Sequence, residues 1–159
     1  MDWNALLQVF LAAMMPIGEL RLSIPFGLYA LELPWFPVLV TSFLGNMVPV
    51  FPLIFGLHRL SHILVGFPNP IGRLVKWRAD QLRFMHSKRF LKYGPTFLVV
   101  LVAVPLPFTG AWTGCLAVWA FQIPTRTAIP LIALGVLISA VIVTLLVLAG
   151  LEIGMSLNE

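Results

Sequence analysis

Pro16-Ile17-Gly18-Glu19-Leu20-Arg21 sets two opposite charges, two positions apart, in the middle of an apolar N-terminal third. Trp3 to Gly18 carries no charged side chain, and Leu22 to Leu31 carries none either. Without this stretch the segment would read as membrane-spanning. Ionisable groups in hydrocarbon cost roughly 2.5–3.5 kcal/mol each on insertion scales, so they persist where protein or trapped water receives them. The neighbouring Pro and Gly interrupt the helix at the same place. The stretch therefore reads as a candidate functional site, and the rest of the chain has to be arranged around it.

Composition sets the class. With 60% hydrophobic residues, 10% charged residues and a mean hydropathy of +0.99, the chain is excluded from the soluble globular class. Leu33–Leu57, Tyr93–Thr125 and Thr127–Leu151 contain no Asp, Glu, Lys or Arg. Each exceeds the roughly 20 apolar residues that a helix needs to cross about 30 Å of hydrocarbon. No secretory signal is expected, because Asp2 stands where a basic run would and no small-residue cleavage site follows. The single cysteine, Cys115, lies in an apolar run and reads as a small apolar residue.

Leu33–Leu57 reads as a full span, with Pro34 in its first turn and a kink expected at Pro49 and Pro52. Residues 58–92 hold eight of the ten basic side chains, Arg59, Arg73, Lys76, Arg78, Arg83, Lys88, Arg89 and Lys92, opposed by Asp80 alone. That asymmetry predicts a cytoplasmic location for this segment. Within it, Ile71–Tyr93 reads as an amphipathic helix lying on the membrane surface. Anionic lipid headgroups, rather than nucleic acid, are its expected partner. His58 and His62 stand four apart with no third ligand near them, so no metal site is expected. No cofactor fingerprint, nucleophile elbow or pair of catalytic carboxylates occurs, so the chain is not read as an enzyme.

The segment 93–123 is apolar but interrupted by Pro105-Leu-Pro-Phe-Thr-Gly-Ala-Trp-Thr-Gly114. Its arms, Pro95–Val104 and Ala111–Phe121, are each long enough for about half a bilayer. Such arms predict a re-entrant hairpin, broken around Pro105, Pro107, Gly110 and Gly114. Residues 1–32 have the same form, broken at Pro16 and Gly18. A second full span follows at 124–151, where Ala133, Gly135, Ser139 and Ala140 allow close helix contact.

Sliding the chain by 90 positions aligns Ala30-Leu-Glu-Leu-Pro34 with Ala120-Phe-Gln-Ile-Pro124, Leu44-Gly45 with Leu134-Gly135, and the two breaks. The expected fold is thus an all-α integral membrane protein: an inverted repeat of a re-entrant helical hairpin plus a transmembrane helix, with a cytoplasmic amphipathic helix. Both termini are expected outside. Inverted repeats built from broken helices are a secondary-transporter plan.

Pro16-Ile-Gly-Glu-Leu-Arg-Leu-Ser-Ile-Pro25 and Val104-Pro-Leu-Pro-Phe-Thr-Gly-Ala-Trp-Thr-Gly114 resemble the two signature stretches of the small multidrug export protein family. The resemblance covers nearly the whole chain. That family is similar in design to the DedA/VTT superfamily, which implies two inward-facing re-entrant hairpins and membrane-embedded polar residues. Some members of that superfamily move or scramble lipids. DedA proteins usually carry an Arg in the second break, and this chain has none there.

Glu19 and Arg21 read either as a buried salt bridge or as groups that meet a substrate or a proton. The second arm of each hairpin would offer free N–H groups near mid-membrane, which with Arg21 favour an anion; Glu19 alone favours a cation or proton. Thr109, Trp112 and Thr113 could add hydroxyl and indole donors, and Asn46 could face the same cavity. The expected function is a small ion-coupled secondary exporter of small or amphiphilic compounds. The alternatives are a lipid or lipid-phosphate translocase of DedA type and a non-transporting membrane scaffold. Because two spans enclose little volume, a homodimer is expected, with Gly135 and its small neighbours as one candidate surface.

Overall fold

The computed structural model describes residues 2–57, 73, 77, 80, 81, 93–105 and 109–156, with side chains as far as Gly150. Most of the basic segment 58–92, with His58 and His62, and Pro107 in the second break lie outside the described residues. Arg73, Trp77, Asp80 and Gln81 are helical. Every regular element among the described residues is a helix.

The first helix, α1 (Trp3–Met14), begins where the Asp2 carboxylate accepts the Asn4 N–H at 3.1 Å. This satisfies one of the orphan donors of the first turn. It ends because Pro16 forces the residue before it out of the helical region: Met15 sits at φ −66°, ψ 141°. Gly18 (φ 105°) and Glu19 (φ 48°) then reverse the backbone, and α2 (Leu20–Pro25) follows. Pro25 brings no N–H into the ladder, and the chain widens into a π turn at Phe26–Ala30.

A span of 23 residues, Trp35–Leu57, comes next. It divides into α3 (Trp35–Met47) and α4 (50–57), with a turn at Val48-Pro49 as expected for Pro49. After the basic segment, a 3₁₀ turn at Gly94–Thr96 leads into α5 (Phe97–Ala103). The second break follows, then α6 (Ala111–Ala120) and the long α7 (Thr125–Ser156). Trp35–Leu57 and Thr125–Gly150 are the two described helices long and apolar enough to cross a membrane. The 12 residues of α1 and the 10 of α6 reach only about 15–18 Å.

The elements keep the register seen in the sequence. Trp35 opens α3 and Thr125, 90 positions on, opens α7, each behind a Pro whose carbonyl accepts an N–H of the first turn, from Val38 to Pro34 and from Thr127 and Ala128 to Pro124. Glu32 (φ 49°) and Gln122 (φ 54°), also 90 apart, share a left-handed backbone just before those prolines. Packing repeats too. A Cβ on Gly45 would lie 2.5 Å from the Phe10 carbonyl oxygen and 3.0 Å from Ala13 Cβ; on Gly135 it would lie 2.7 Å from Val102 Cβ and 3.0 Å from the Val99 carbonyl oxygen. Thus α1 lies on α3 as α5 lies on α7, backbone close to backbone.

Gly135 therefore belongs to an intramolecular helix contact, and its small neighbours Ser139 and Ala140 are buried within the chain. The expected dimer surface at Gly135 is corrected: α5 already occupies it. Gly114 is a second correction. It lies inside α6, where a Cβ would come 2.7 Å from Val102 Cγ2, so it allows α5 and α6 to approach and does not form the break. The break ends at Gly110.

Val9, Ile24, Val38, Leu98, Val102, Val118, Ile132 and Val136 form one core drawn from both halves, each at most 1% exposed. The outer faces are apolar as well. Leu7, Leu11, Phe36, Leu44, Phe55, Leu145 and Leu146 are all more than half exposed, a surface suited to lipid. Close backbone contact gives a first prediction. Gly45→Val and Gly135→Val should each cost about 1–3 kcal/mol by prising a helix pair apart. Gly56→Ala, with nothing within 4 Å, should cost nothing measurable. Thermal unfolding in detergent micelles compares the three.

Candidate functional site

The site is where the two breaks meet. Glu19 leaves the first break in a backbone conformation rare for a residue with a side chain, φ 48°, ψ −134°. The residue is buried, 7% exposed, and its carboxylate reaches the start of α6. Oε2 accepts the Ala111 N–H at 3.1 Å and Oε1 accepts the Trp112 N–H at 3.2 Å. Asn46 of α3, fully buried, brings its amide nitrogen to 3.5 Å from Oε2, a long contact.

A carboxylate taking two consecutive first-turn N–H groups is held by charge-assisted bonds and by the positive end of the helix. Gly110 makes that approach possible. At φ 125°, ψ −167° it occupies backbone space open essentially to glycine alone, and a Cβ there would overlap Glu19 Oε2.

Arg21 crosses to the same break by another route. Half-buried, its Nη2 donates to the Thr109 carbonyl at 2.9 Å and to Thr109 Oγ1 at 2.7 Å. Thr109 Oγ1 in turn donates to the Val104 carbonyl at 2.6 Å, closing the break upon itself. Among the described residues no ion pair joins Glu19 to Arg21. Of the two readings of this pair, the direct salt bridge is overturned: each charge serves the opposite break, 88 to 93 positions away. The free N–H groups expected at the start of the second arm are corrected for the same reason, since Glu19 already fills them.

Residues 19–142 match the family described as "Putative small multi-drug export protein". The chain belongs to that family. The match starts at Glu19 and takes in Arg21, Asn46, the second break and most of α7. No curated protein and no solved structure matches the chain. Family and apolar helices together give this small multi-drug export family member a membrane location.

The remaining expected site residues of this family member divide. Thr113 is buried in the first turn of α6. Trp112 contributes its backbone N–H, while its indole Nε1 is buried and finds no hydrogen-bond partner among the described residues. Asn46 Oδ1 is in the same position. Among the described residues no group of three or more His, Cys, Asp or Glu could hold a metal ion. Cys115 lies fully buried one turn further along α6 and packs in the core, the role its apolar surroundings suggest.

Two further contacts, one buried and one exposed, join pairs that the sequence does not name. Ser23 Oγ donates to Ser42 Oγ at 2.9 Å, tying α2 to α3 next to the site. The Tyr29 hydroxyl donates to the Val147 carbonyl at 3.2 Å, tying the first half to α7. A polar residue on a periodic apolar stripe signals that some partner exists, but not which one. Thr109→Val removes the hydroxyl shared by Arg21 and Val104. It should cost about 1–2 kcal/mol, read by thermal unfolding in micelles, with Arg21 still held by the Thr109 carbonyl.

Proposed function

We propose that this chain is a small secondary exporter of amphiphilic compounds, driven by an ion gradient, with Glu19 as the proton- or cation-responsive group. Segments 1–32 and 93–123 act as re-entrant hairpins entering from opposite sides, and 33–57 and 124–151 as the two spans. The basic segment 58–92 lies at the cytoplasmic surface against anionic headgroups, with both termini outside. A homodimer completes the transport path, formed through apolar faces other than that of Gly135.

One observation carries this reading: the only charged groups of the first break hold the second break across the interior of the fold. A site shared by two halves is what alternating access requires, because rocking one half against the other changes the site's surroundings. When Glu19 loses its charge, its hold on the Ala111 and Trp112 N–H groups weakens and the halves are freer to separate. Arg21, anchored separately at Thr109, keeps the breaks in register meanwhile.

The test is efflux of the amphiphilic dye ethidium from proteoliposomes, with and without an imposed proton or sodium gradient. Wild type should move the dye only with a gradient, and Glu19→Gln should lose at least tenfold of that flux. Flux independent of any gradient, unaffected by Glu19→Gln but lost in Arg21→Gln, would instead indicate a lipid-translocase type of mechanism. Reporters fused at Met1 and Glu159 test the topology. Both should report outside; both inside would mean that the hairpins are ordinary spans.

A further inference from the structure

The shell around Glu19 discriminates between the two ions left open above. Among the described residues, every group within hydrogen-bonding distance of its carboxylate is a donor: the Ala111 N–H, the Trp112 N–H and the Asn46 amide nitrogen. Alkali and alkaline-earth cations need several oxygen ligands converging on one point. Here hydrogens converge instead. A proton has no such requirement, since it needs one acceptor for the O–H that it creates.

That acceptor is present. Asn46 is fully buried, and its Oδ1 is without a hydrogen-bond partner among the described residues, although its amide nitrogen already faces Glu19 Oε2. A buried carbonyl left unpaired is costly, and buried polar atoms are nearly always partnered. The two ends of a primary amide have almost the same shape, so turning it over exchanges donor for acceptor without moving the helix.

We propose that Glu19 takes up a proton and excludes metal cations, and that Asn46 is the positioning residue that accommodates both states. With Glu19 ionised, Asn46 presents its NH₂. When a proton from water joins Oε2, the amide turns and Oδ1 accepts the new O–H, while Oε1 stays with the Trp112 N–H. Among the described residues, the titratable groups in electrostatic reach of Glu19 are Arg21 on α2 and the Cys115 thiol on α6. α1 and α3 bring none, and Arg126 of α7 lies in that helix's first turn.

The proposal deepens the exporter reading by naming its ion, but its test does not depend on transport. Infrared difference spectra of the full chain in liposomes follow the carboxylic C=O band as pH is stepped, with Glu19→Gln identifying the Glu19 contribution. The band should appear with the same midpoint in sodium chloride and in N-methylglucamine chloride. In Asn46→Thr, whose hydroxyl both donates and accepts, it should keep its frequency. In Asn46→Val, of nearly equal shape, it should shift to higher wavenumber, as for an O–H without an acceptor. A midpoint displaced tenfold in proton concentration by sodium, an absent Glu19 band, or identical frequencies in the Val and Thr variants would overturn the proposal. Failure of ethidium efflux alongside the expected spectra would remove the exporter reading and leave the proton site standing.

Discussion

Glu19→Ala should destabilise the fold by about 4 kcal/mol, against about 2 kcal/mol for Glu19→Gln. The alanine leaves the Ala111 and Trp112 N–H groups and the Asn46 amide without their shared acceptor, at a depth where water cannot readily replace it. Glutamine keeps one acceptor oxygen for one of the two N–H groups and sets an NH₂ against the other. Both variants abolish a charge, so a purely electrostatic role would make them equal. Thermal unfolding in micelles, read beside ligand-free expression yield, should rank wild type above Gln and Gln well above Ala. Equal stabilities would mean that the Glu19 carboxylate does not cap α6.

Gly110→Ala should match the loss seen in Glu19→Ala while leaving Glu19 in place. A methyl at Gly110 would overlap Oε2 and lie 2.7 Å from the Glu19 carboxyl carbon, and the backbone at φ 125° is strained for any side chain. Strain and displacement together should cost about 3–5 kcal/mol. Gly18→Ala is the informative comparison. It too has a positive φ, 105°, but the nearest atoms to the methyl there belong to the Leu22 side chain, 56% exposed, whose outer atoms can turn aside while its Cβ, at 2.9 Å, gives slightly. Its cost should be about 1–2 kcal/mol, mostly backbone strain, and gradient-driven dye flux should survive. If the two alanine variants behave alike, the closeness of Gly110 to Glu19 carries no weight.

Much of this was legible in the sequence because it depended on local rules. Pro16 and Gly18 ended α1 where expected, half-length apolar runs gave half-length helices, and the offset of 90 recovered Trp35 against Thr125 and Gly45 against Gly135. The importance of Glu19, Arg21, Thr109 and Asn46 followed from a physical rule as well: polar groups in apolar runs need partners. The choice of partners did not follow. Two opposite charges two residues apart suggest each other, yet consecutive positive φ angles at Gly18 and Glu19 point the carboxylate to α6, whereas Arg21 leaves from the helix beyond.

Gly114 and Gly135 show the other limit. A glycine in an apolar segment can break a helix, admit a neighbouring helix or face a second subunit. The sequence marks all three in the same way, and only the position of Val102 decides both cases in favour of close packing within the chain. Asn46 was visible as a buried polar group on a span, but its long contact, and an oxygen unpaired among the described residues, arise from a distance set by tertiary packing.

The first break's carboxylate sits on the second break's helix. Dipolar-coupled solid-state NMR on ¹³C,¹⁵N-labelled chain in lipid bilayers measures it directly, through transfer between the Glu19 carboxyl carbon and the Ala111 and Trp112 amide nitrogens. Strong transfer to both, at the range of a direct hydrogen bond and lost in Glu19→Ala, is the predicted result. Transfer from Glu19 to the Arg21 guanidinium instead, with none to Ala111 or Trp112, would contradict the account.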